Sequence, residues 1–242
     1  MIEIRHIPKA EDLRPAYEEI YGAQGIRHSD SFYGWIFDLL KPEPGRLFLD
    51  IACGQGRLPQ LAARCGLEAH GLDLSVRAIE VGLRSEVKLL VADGQRLPYP
   101  AGRFHYLTNI GSLEHYVDPV AGAQEMARVL APGGLACILL PNAFSLFGNI
   151  LYALHEGRTA DDGQPIQRYA ARFEWQDLLQ SAGLRVIRTH KYECERPRSW
   201  ADLAQYLRRP KFLARLLLTP FIPLNLANSF VYICQKGTPE SK

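Results

Sequence analysis

The sequence predicts an α/β fold: a doubly wound, Rossmann-like sheet of seven mostly parallel strands, with a helical N-terminal lead-in and insertions after strand 5 and before strand 7. Three observations carry that expectation. Seven short apolar runs recur along the chain with helical or loop segments between them. The first run passes through an acid into a Gly-x-Gly turn that opens a helix. With 242 residues, 47% of them apolar and 22% charged, the chain can bury the core that one full-sized domain with insertions requires. The expected division is a lead-in over 1–44, a ligand-binding core over 45–142, and acceptor-side insertions over 143–172 and 196–228.

In the lead-in, Leu13, Tyr17, Ile20 and Tyr21, then Phe32, Ile36, Leu39 and Leu40, fall at helical spacing until Pro42-Glu43-Pro44-Gly45 breaks the pattern. Phe32, Tyr33 and Trp35 read there as core rather than as a ligand platform. The strands follow at Leu47 to Ala52, Leu67 to Leu72, Val87 to Ala92, Phe104 to Ile110, Leu135 to Leu140, Leu184 to Thr189 and Ser229 to Cys234. Ser75 caps the helix after the second strand, and Asp118-Pro119 supplies a cap and a first-turn proline before Val120 to Leu130. Pro132-Gly133-Gly134 then stops that helix. Strands alternating with helices give right-handed parallel connections, which put ligands at the carboxyl ends of the strands.

Composition removes several function classes. A net charge of +2 from 28 basic and 26 acidic residues lacks the bias of a nucleic-acid binder, leaving small-molecule or lipid-type partners. The five cysteines include no C-x-x-C pair, so they read as reduced thiols with no metal site and no disulfide framework. The N-terminus has no apolar signal-peptide core, which predicts a cytoplasmic protein. Leu216 to Gln235 is free of charge, but Pro220, Pro223, Asn225 and Asn228 interrupt it. A helix end, a loop and a buried strand suit it better than a membrane span.

The residues that carry chemistry begin at Leu47-Phe48-Leu49-Asp50-Ile51-Ala52-Cys53-Gly54-Gln55-Gly56. Glycines in such a turn let backbone approach a ligand, and the following helix start offers unpaired N–H groups. A dinucleotide fingerprint would place a small residue three positions after Gly56, where Pro59 stands. Asp73, at the end of the second strand, suits both hydroxyls of a ribose. A third acid, Asp93, precedes Gly94 after the third strand.

Together with NIGSLEHYVDP at 109–119 and RVLAPGGLACILLPN at 128–142, the segments DIACGQG at 50–56, GLDLS at 71–75 and VADGQRLPYP at 91–100 make the sequence resemble the class I S-adenosylmethionine-dependent methyltransferases. Within them it resembles the ubiquinone and menaquinone methyltransferase group, methyltransferase type 11, over roughly residues 46–142. The resemblance implies S-adenosyl-L-methionine as cofactor and S-adenosyl-L-homocysteine as product. It implies that Ala52, Cys53, Gly54 and Gly56 hold the methionine part, with Asp50 orienting their loop. Asp73 would bind the ribose, Leu74 would pack on adenine, Asp93 and Gly94 would sit at the adenine edge, and Asn109 and Ile110 would lie beside the sulfonium. Ala52 departs from the glycine many relatives carry.

An activated methyl needs mainly alignment of the acceptor and exclusion of water. For a hydroxyl or carbon acid, His115 is the first candidate base, with Glu114 and Tyr116 beside it. The alternatives are an NAD(P)-dependent oxidoreductase on a similar sheet and a non-catalytic S-adenosylmethionine-binding protein. The 143–172 insertion, with Phe144, Phe147, Tyr152, His155, Arg168 and Tyr169, reads as a lid or acceptor wall. The 196–228 insertion combines Arg196, Arg198, Arg208, Arg209, Lys211 and Arg215 with an apolar run. That combination suits peripheral contact with an anionic membrane or a lipid-linked acceptor, or a helix covering the sheet edge with solvated arginines.

Overall fold

The seven apolar runs become the strands of one sheet. A computed structural model describes residues 1–7, 11, 13–23, 28–82, 87–195 and 197–237. Arg196 of the second insertion therefore lies outside the described residues, as do positions 8–10, 12 and 24–27 of the lead-in. The chain opens with β1 (Ile2–Arg5), α1 (Leu13–Ala23) and α2 (Asp30–Leu40). The core follows as β2 (Leu47–Ile51), α3 (Arg57–Arg64), β3 (Glu68–Asp73), α4 (Val76–Gly82), β4 (Lys88–Val91), β5 (Phe104–Ile110), α5 (Pro119–Val129) and β6 (Leu130–Pro141). After β6 come a π-turn (Leu146–Ile150), α6 (Leu151–Glu156), β7 (Ile166–Tyr169), α7 (Arg172–Ser181) and β8 (Leu184–Tyr192). The remaining elements are α8 (Trp200–Leu207), α9 (Pro210–Leu218) and β9 (Ser229–Lys236).

The sheet order is β4-β3-β2-β5-β6-β9-β8. Every pairing among β2 to β6 is parallel, and β9 runs antiparallel to both β6 and β8. Alternation along the strands builds two cores. Phe48, Tyr106, Cys137, Val231 and Ile233 face α2 and α3, packing on Phe32, Ile36 and Leu58. Leu49, Ile51, Leu107, Ile138 and Tyr232 face α5 and α7, packing on Met126, Trp175 and Leu179.

The lead-in is not wholly helical. β1 pairs antiparallel with β7, from Ile2 opposite Tyr169 to Arg5 opposite Ile166, as a separate two-stranded sheet. Four residues of Ile-Glu-Ile-Arg alternation suit such a strand, but the partner that orders it lies far along the sequence. A second difference concerns α5, which ends at Val129 rather than at Pro132-Gly133-Gly134. Leu130 is already extended and pairs with Phe104, and the Pro-Gly-Gly stretch sits within β6 at a register shift. Ala131, preceding a proline, is biased to the extended region, so the strand begins before the turn residues. The capping residues behave as read: Asp118 accepts from Val120 N and Ala121 N at 3.0 Å each, and Ser75 Oγ from Ala78 N at 3.2 Å.

At the carboxyl end of β6, Asn142 holds the two insertions together. Its side-chain amide donates to the carbonyls of Asn225 and Ala227 at 2.9 and 2.8 Å, its Oδ1 accepts from Phe144 N, and its carbonyl accepts from Asn149 Nδ2. Beside it Trp175, fully buried, donates from Nε1 to the Pro141 carbonyl at 2.8 Å. Replacing Trp175 by alanine removes the largest fully buried side chain and leaves that carbonyl without its donor. We expect a loss of about 3–5 kcal/mol in urea unfolding, and a loss below about 1 kcal/mol would contradict this account of the core.

Candidate active site

The carboxyl ends of β2, β3, β4 and β5 open into a cleft with about 1000 Å³ of empty space, part of it open solvent. Its floor is built from the three strand-to-helix turns that parallel topology places side by side. After β2 the chain turns through Ala52, Gly54 and Gly56, all with positive φ, at 59°, 53° and 74°. For Ala52 this left-handed conformation carries a strain of roughly 1–2 kcal/mol that glycine would avoid. The turn is fixed from β3: Cys53 N donates to the Leu72 carbonyl at 2.9 Å, and Gly54 N to Asp73 Oδ2 at 2.8 Å. Asp73 Oδ1 also accepts from Ser75 N at 2.9 Å.

Asp50 and Asp73 are both buried and both face the cleft. Among the described residues Asp50 has one side-chain partner, Thr108 Oγ1 on β5, at 2.6 Å. Burial raises its carboxyl to about 7, against the opposing effect of that hydrogen bond. Burial also raises Asp73, while the two backbone donors and the Tyr21 hydroxyl lower it. Cys53 faces the same space, and desolvation with two neighbouring carboxyls pushes its thiol well up, which leaves it protonated and unreactive.

The structure brings together Asp50, Ala52, Cys53, Gly54, Asp73, Leu74, Asp93, Gly94, Ile110 and His115 around the cleft. Gly56 and Asn109 do not line it. Gly56 is the cap of α3, and a Cβ there would stand 2.9 Å from Leu89 Cδ1, so its glycine serves the turn and its packing. Asn109 is fully buried behind the wall. Its amide donates to the Ile51 carbonyl and the Tyr116 hydroxyl at 3.3 and 3.2 Å, and its Oδ1 accepts from Leu113 N at 3.0 Å. Asn109 therefore shapes the loop after β5. At Gly94 a side chain would collide with the Tyr116 hydroxyl.

Several lining residues escaped the sequence reading. Leu13, Tyr17 and Tyr21 of α1, His28 and Tyr33 around the start of α2, and Gln164 of the first insertion all line the cleft. Tyr33 is thus not simply core, whereas Phe32 is buried and Trp35 stacks on Tyr192 at 5.8 Å. The signal was available in part: apolar-aromatic spacing on α1 marks a covered face, but does not distinguish a core neighbour from a cleft. α1 is fastened over the site by Glu18, which accepts from Ser75 Oγ, Val76 N and Arg77 N at 2.9, 2.6 and 3.1 Å and so caps α4. Tyr17 Oη lies 3.3 Å from Gln164 Oε1, joining α1 to the first insertion.

His115 sits in a single 3-10 turn, Leu113–His115, and is buried. Its Nδ1 bonds to the Ile166 carbonyl on β7; a carbonyl only accepts, so Nδ1 carries the proton and Nε2 keeps its lone pair. Burial lowers its pKa, which keeps the ring neutral. Nε2 lies 3.8 Å from Glu114 Oε1, and burial raises the Glu114 carboxyl to about 8. Arg168 belongs to this frame rather than to an acceptor wall. Its buried guanidinium donates to the carbonyls of Glu114, Tyr116 and Val117 and to Glu3 Oε2, the last at 2.7 Å. The small β1–β7 sheet thus locks the loop that carries His115. Among the described residues no group of histidine, cysteine and carboxylate side chains is arranged to hold a metal ion.

Comparison with known proteins fits this geometry. Residues 49–138 match the family model described as a methyltransferase domain. Over that segment the chain is similar to methyltransferase domains. It is 34% identical over 95 residues to a demethylmenaquinone methyltransferase of Corynebacterium kroppenstedtii, a match covering 39% of this chain and 42% of that protein. It is 30% identical over 165 residues to the methyltransferase GfsG of Streptomyces halstedii, covering 63% of this chain and 57% of that one. The chain spans about half the length of the curated relatives it matches. An S-adenosylmethionine-dependent methyltransferase of Mesorhizobium loti shares the fold, with a TM-score of 0.62 at 15% identity over 84% of this chain and 98% of that one.

The buried carboxyls give the domain a pH signature. Asp50 and Glu114 bind protons more tightly folded than unfolded, so the stability they contribute is full below their unfolded values near 4. It is lost as pH rises through about 7 for Asp50 and about 8 for Glu114. Without cofactor, the melting temperature should fall between about pH 5 and about pH 8, and Glu114→Gln should flatten the fall. A melting temperature that climbs over that range would contradict the assignment.

Proposed function

We propose that this chain transfers a methyl group from S-adenosyl-L-methionine to a small-molecule or lipid-type acceptor by in-line displacement, as a cytoplasmic enzyme. The observation that carries this reading is the pair of buried carboxyls, Asp50 and Asp73, flanking the positive-φ turn at the mouth of parallel strands. The donor set fits the cofactor. Asp73 retains acceptor capacity for a ribose diol beyond its backbone partners. Leu72, Leu74 and Ala92 supply an apolar wall for adenine next to Asp93 and Gly94, while Asp50 stands beside the turn that would hold the methionine end. The cofactor supplies an activated methyl. The protein's part is to place the acceptor and exclude water.

The acceptor side is aromatic and apolar. Tyr17, Tyr21 and Tyr33 face the cleft with hydroxyls that burial keeps protonated, and Leu13 lies beside them. Such walls suit a flat, weakly polar ring, in line with the quinone-precursor names of the relatives. In this reading His115 serves as the base for a hydroxyl or carbon-acid acceptor, supported by a neutral ring whose Nδ1 is bonded to the Ile166 carbonyl and whose Nε2 carries no proton. In this reading the 143–172 and 196–228 insertions stand on the acceptor side, the second in peripheral contact with membrane.

Calorimetric titration with S-adenosyl-L-homocysteine should give micromolar binding that Asp73→Ala weakens roughly ten- to a hundredfold, the value of hydrogen bonds to a charged acceptor. A folded wild type that binds nothing would overturn the assignment. Once an acceptor is found, His115→Gln should slow turnover roughly 10²- to 10⁴-fold and remove the rise in rate with pH on the acid side of the usual histidine range. An unchanged pH–rate profile in that variant would show that no base acts there.

A further inference from the structure

The insertion between β8 and β9 presents an apolar surface that its few anchors leave uncovered. Asp202 accepts from Ser31 Oγ at 2.5 Å, Arg215 pairs with the buried Glu193 at 3.0 Å, and Lys191 Nζ caps the end of α9 through the carbonyls of Thr219 and Ile222. These contacts fix α8 to α2 and α9 to the end of β8 but bury no residue of α9. Facing outward are Trp200, 86% exposed, Phe221, 80% exposed, and Leu207, Leu217 and Leu218. The first insertion adds Leu154, 78% exposed, on α6, another helix with no buried residue. Arg215 lies over the Phe147 ring at 5.7 Å, which sets the two insertions side by side.

Around α9 the charge has one sign, while Asp202 on α8 is taken up by Ser31 and Glu156 ends α6. From Leu203 to Gly237 the sequence contains no aspartate or glutamate. Arg208, Arg209 and Lys211, at the junction of α8 and α9, are exposed and form no ion pair among the described residues. Both insertions leave the sheet at its cleft end, where Pro141 and Tyr192 each pair with Ser229. A two-fold contact between copies of this chain would set these cations against one another. Exposed aromatic and aliphatic side chains beside unpaired cations match the headgroup region of a bilayer carrying negative lipid.

We propose that α8, α9 and α6 form a docking surface for an anionic lipid bilayer. Trp200, Leu207, Leu217 and Phe221 enter the interface, and Arg208, Arg209 and Lys211 meet lipid phosphates. Docking here turns the cleft end of the sheet toward the membrane, where an apolar acceptor would be dissolved. The inference rests on the proposed acceptor class for its purpose, but its test needs neither acceptor nor cofactor.

The experiment is co-sedimentation of the full chain with phosphatidylcholine vesicles, with and without phosphatidylglycerol, over a range of salt. Binding should require phosphatidylglycerol and weaken with salt. Arg208→Gln/Arg209→Gln/Lys211→Gln should reduce partitioning roughly a hundredfold. Leu217→Ser/Phe221→Ser should also reduce it, and both variants should keep the wild-type melting temperature and titration with S-adenosyl-L-homocysteine. No binding to phosphatidylglycerol vesicles, or binding indifferent to both variants, overturns the proposal. So does a concentration-dependent dimer in light scattering that Leu217→Ser/Phe221→Ser disperses, because a second copy would then cover the surface. Failure of the cofactor titration alone leaves the vesicle result standing, so the two readings fail separately.

Discussion

The site depends on one carboxylate. Asp73 ends β3 and accepts hydrogen bonds from Gly54 N in the turn after β2 and from Ser75 N at the start of α4. It thereby fixes two loops that neither strand could fix alone. Because it is buried, each of those bonds acts in a medium of low polarity, where satisfied polar groups rigidify and unsatisfied ones are costly. α1 is bound to the same corner, with Glu18 capping α4 and the Tyr21 hydroxyl 3.5 Å from Asp73 Oδ2. Floor and roof of the cleft thus share an anchor, and their separation does not depend on loop conformation.

A second frame, independent of the first, holds the loop after β5. Thr108 ties β5 to Asp50, Asn109 ties the strand end to the turn that follows, and Arg168 gathers the backbone carbonyls of Glu114, Tyr116 and Val117 around His115. The frame explains why Arg168 can be buried: its charge is met by Glu3 and by carbonyl dipoles. It also separates roles within the first insertion. β7 turns inward and is structural, while α6 stays outside.

The sheet was legible in the sequence because its central strands are buried on both faces and so appear as apolar runs between glycines, prolines and acids. The cofactor side was legible for a related reason, since Asp50, Asp73 and Asp93 all stand where an apolar run stops. What escaped depends on contacts remote in sequence. β1 and β7 are four-residue strands with charged members, and they pair with each other across most of the chain. Tyr17, Tyr21 and Tyr33 carry the spacing of core residues because a cleft wall and a core neighbour impose the same burial on a helix face. Arg168 read as part of a lid or acceptor wall because most of its partners are backbone carbonyls, which leave no trace in side-chain identity, and its carboxylate partner, Glu3, lies far away in sequence.

The position of β9 bears on how the chain is made. Being last in order, it fills an interior slot between β6 and β8 and contributes the fully buried Phe230, Val231 and Tyr232. During synthesis β6 must wait with an open hydrogen-bonding edge until β9 has left the ribosome. The nascent protein therefore passes through a stage in which half of the sheet is formed and its neighbour is missing, and it is then that a chaperone has the most to shield.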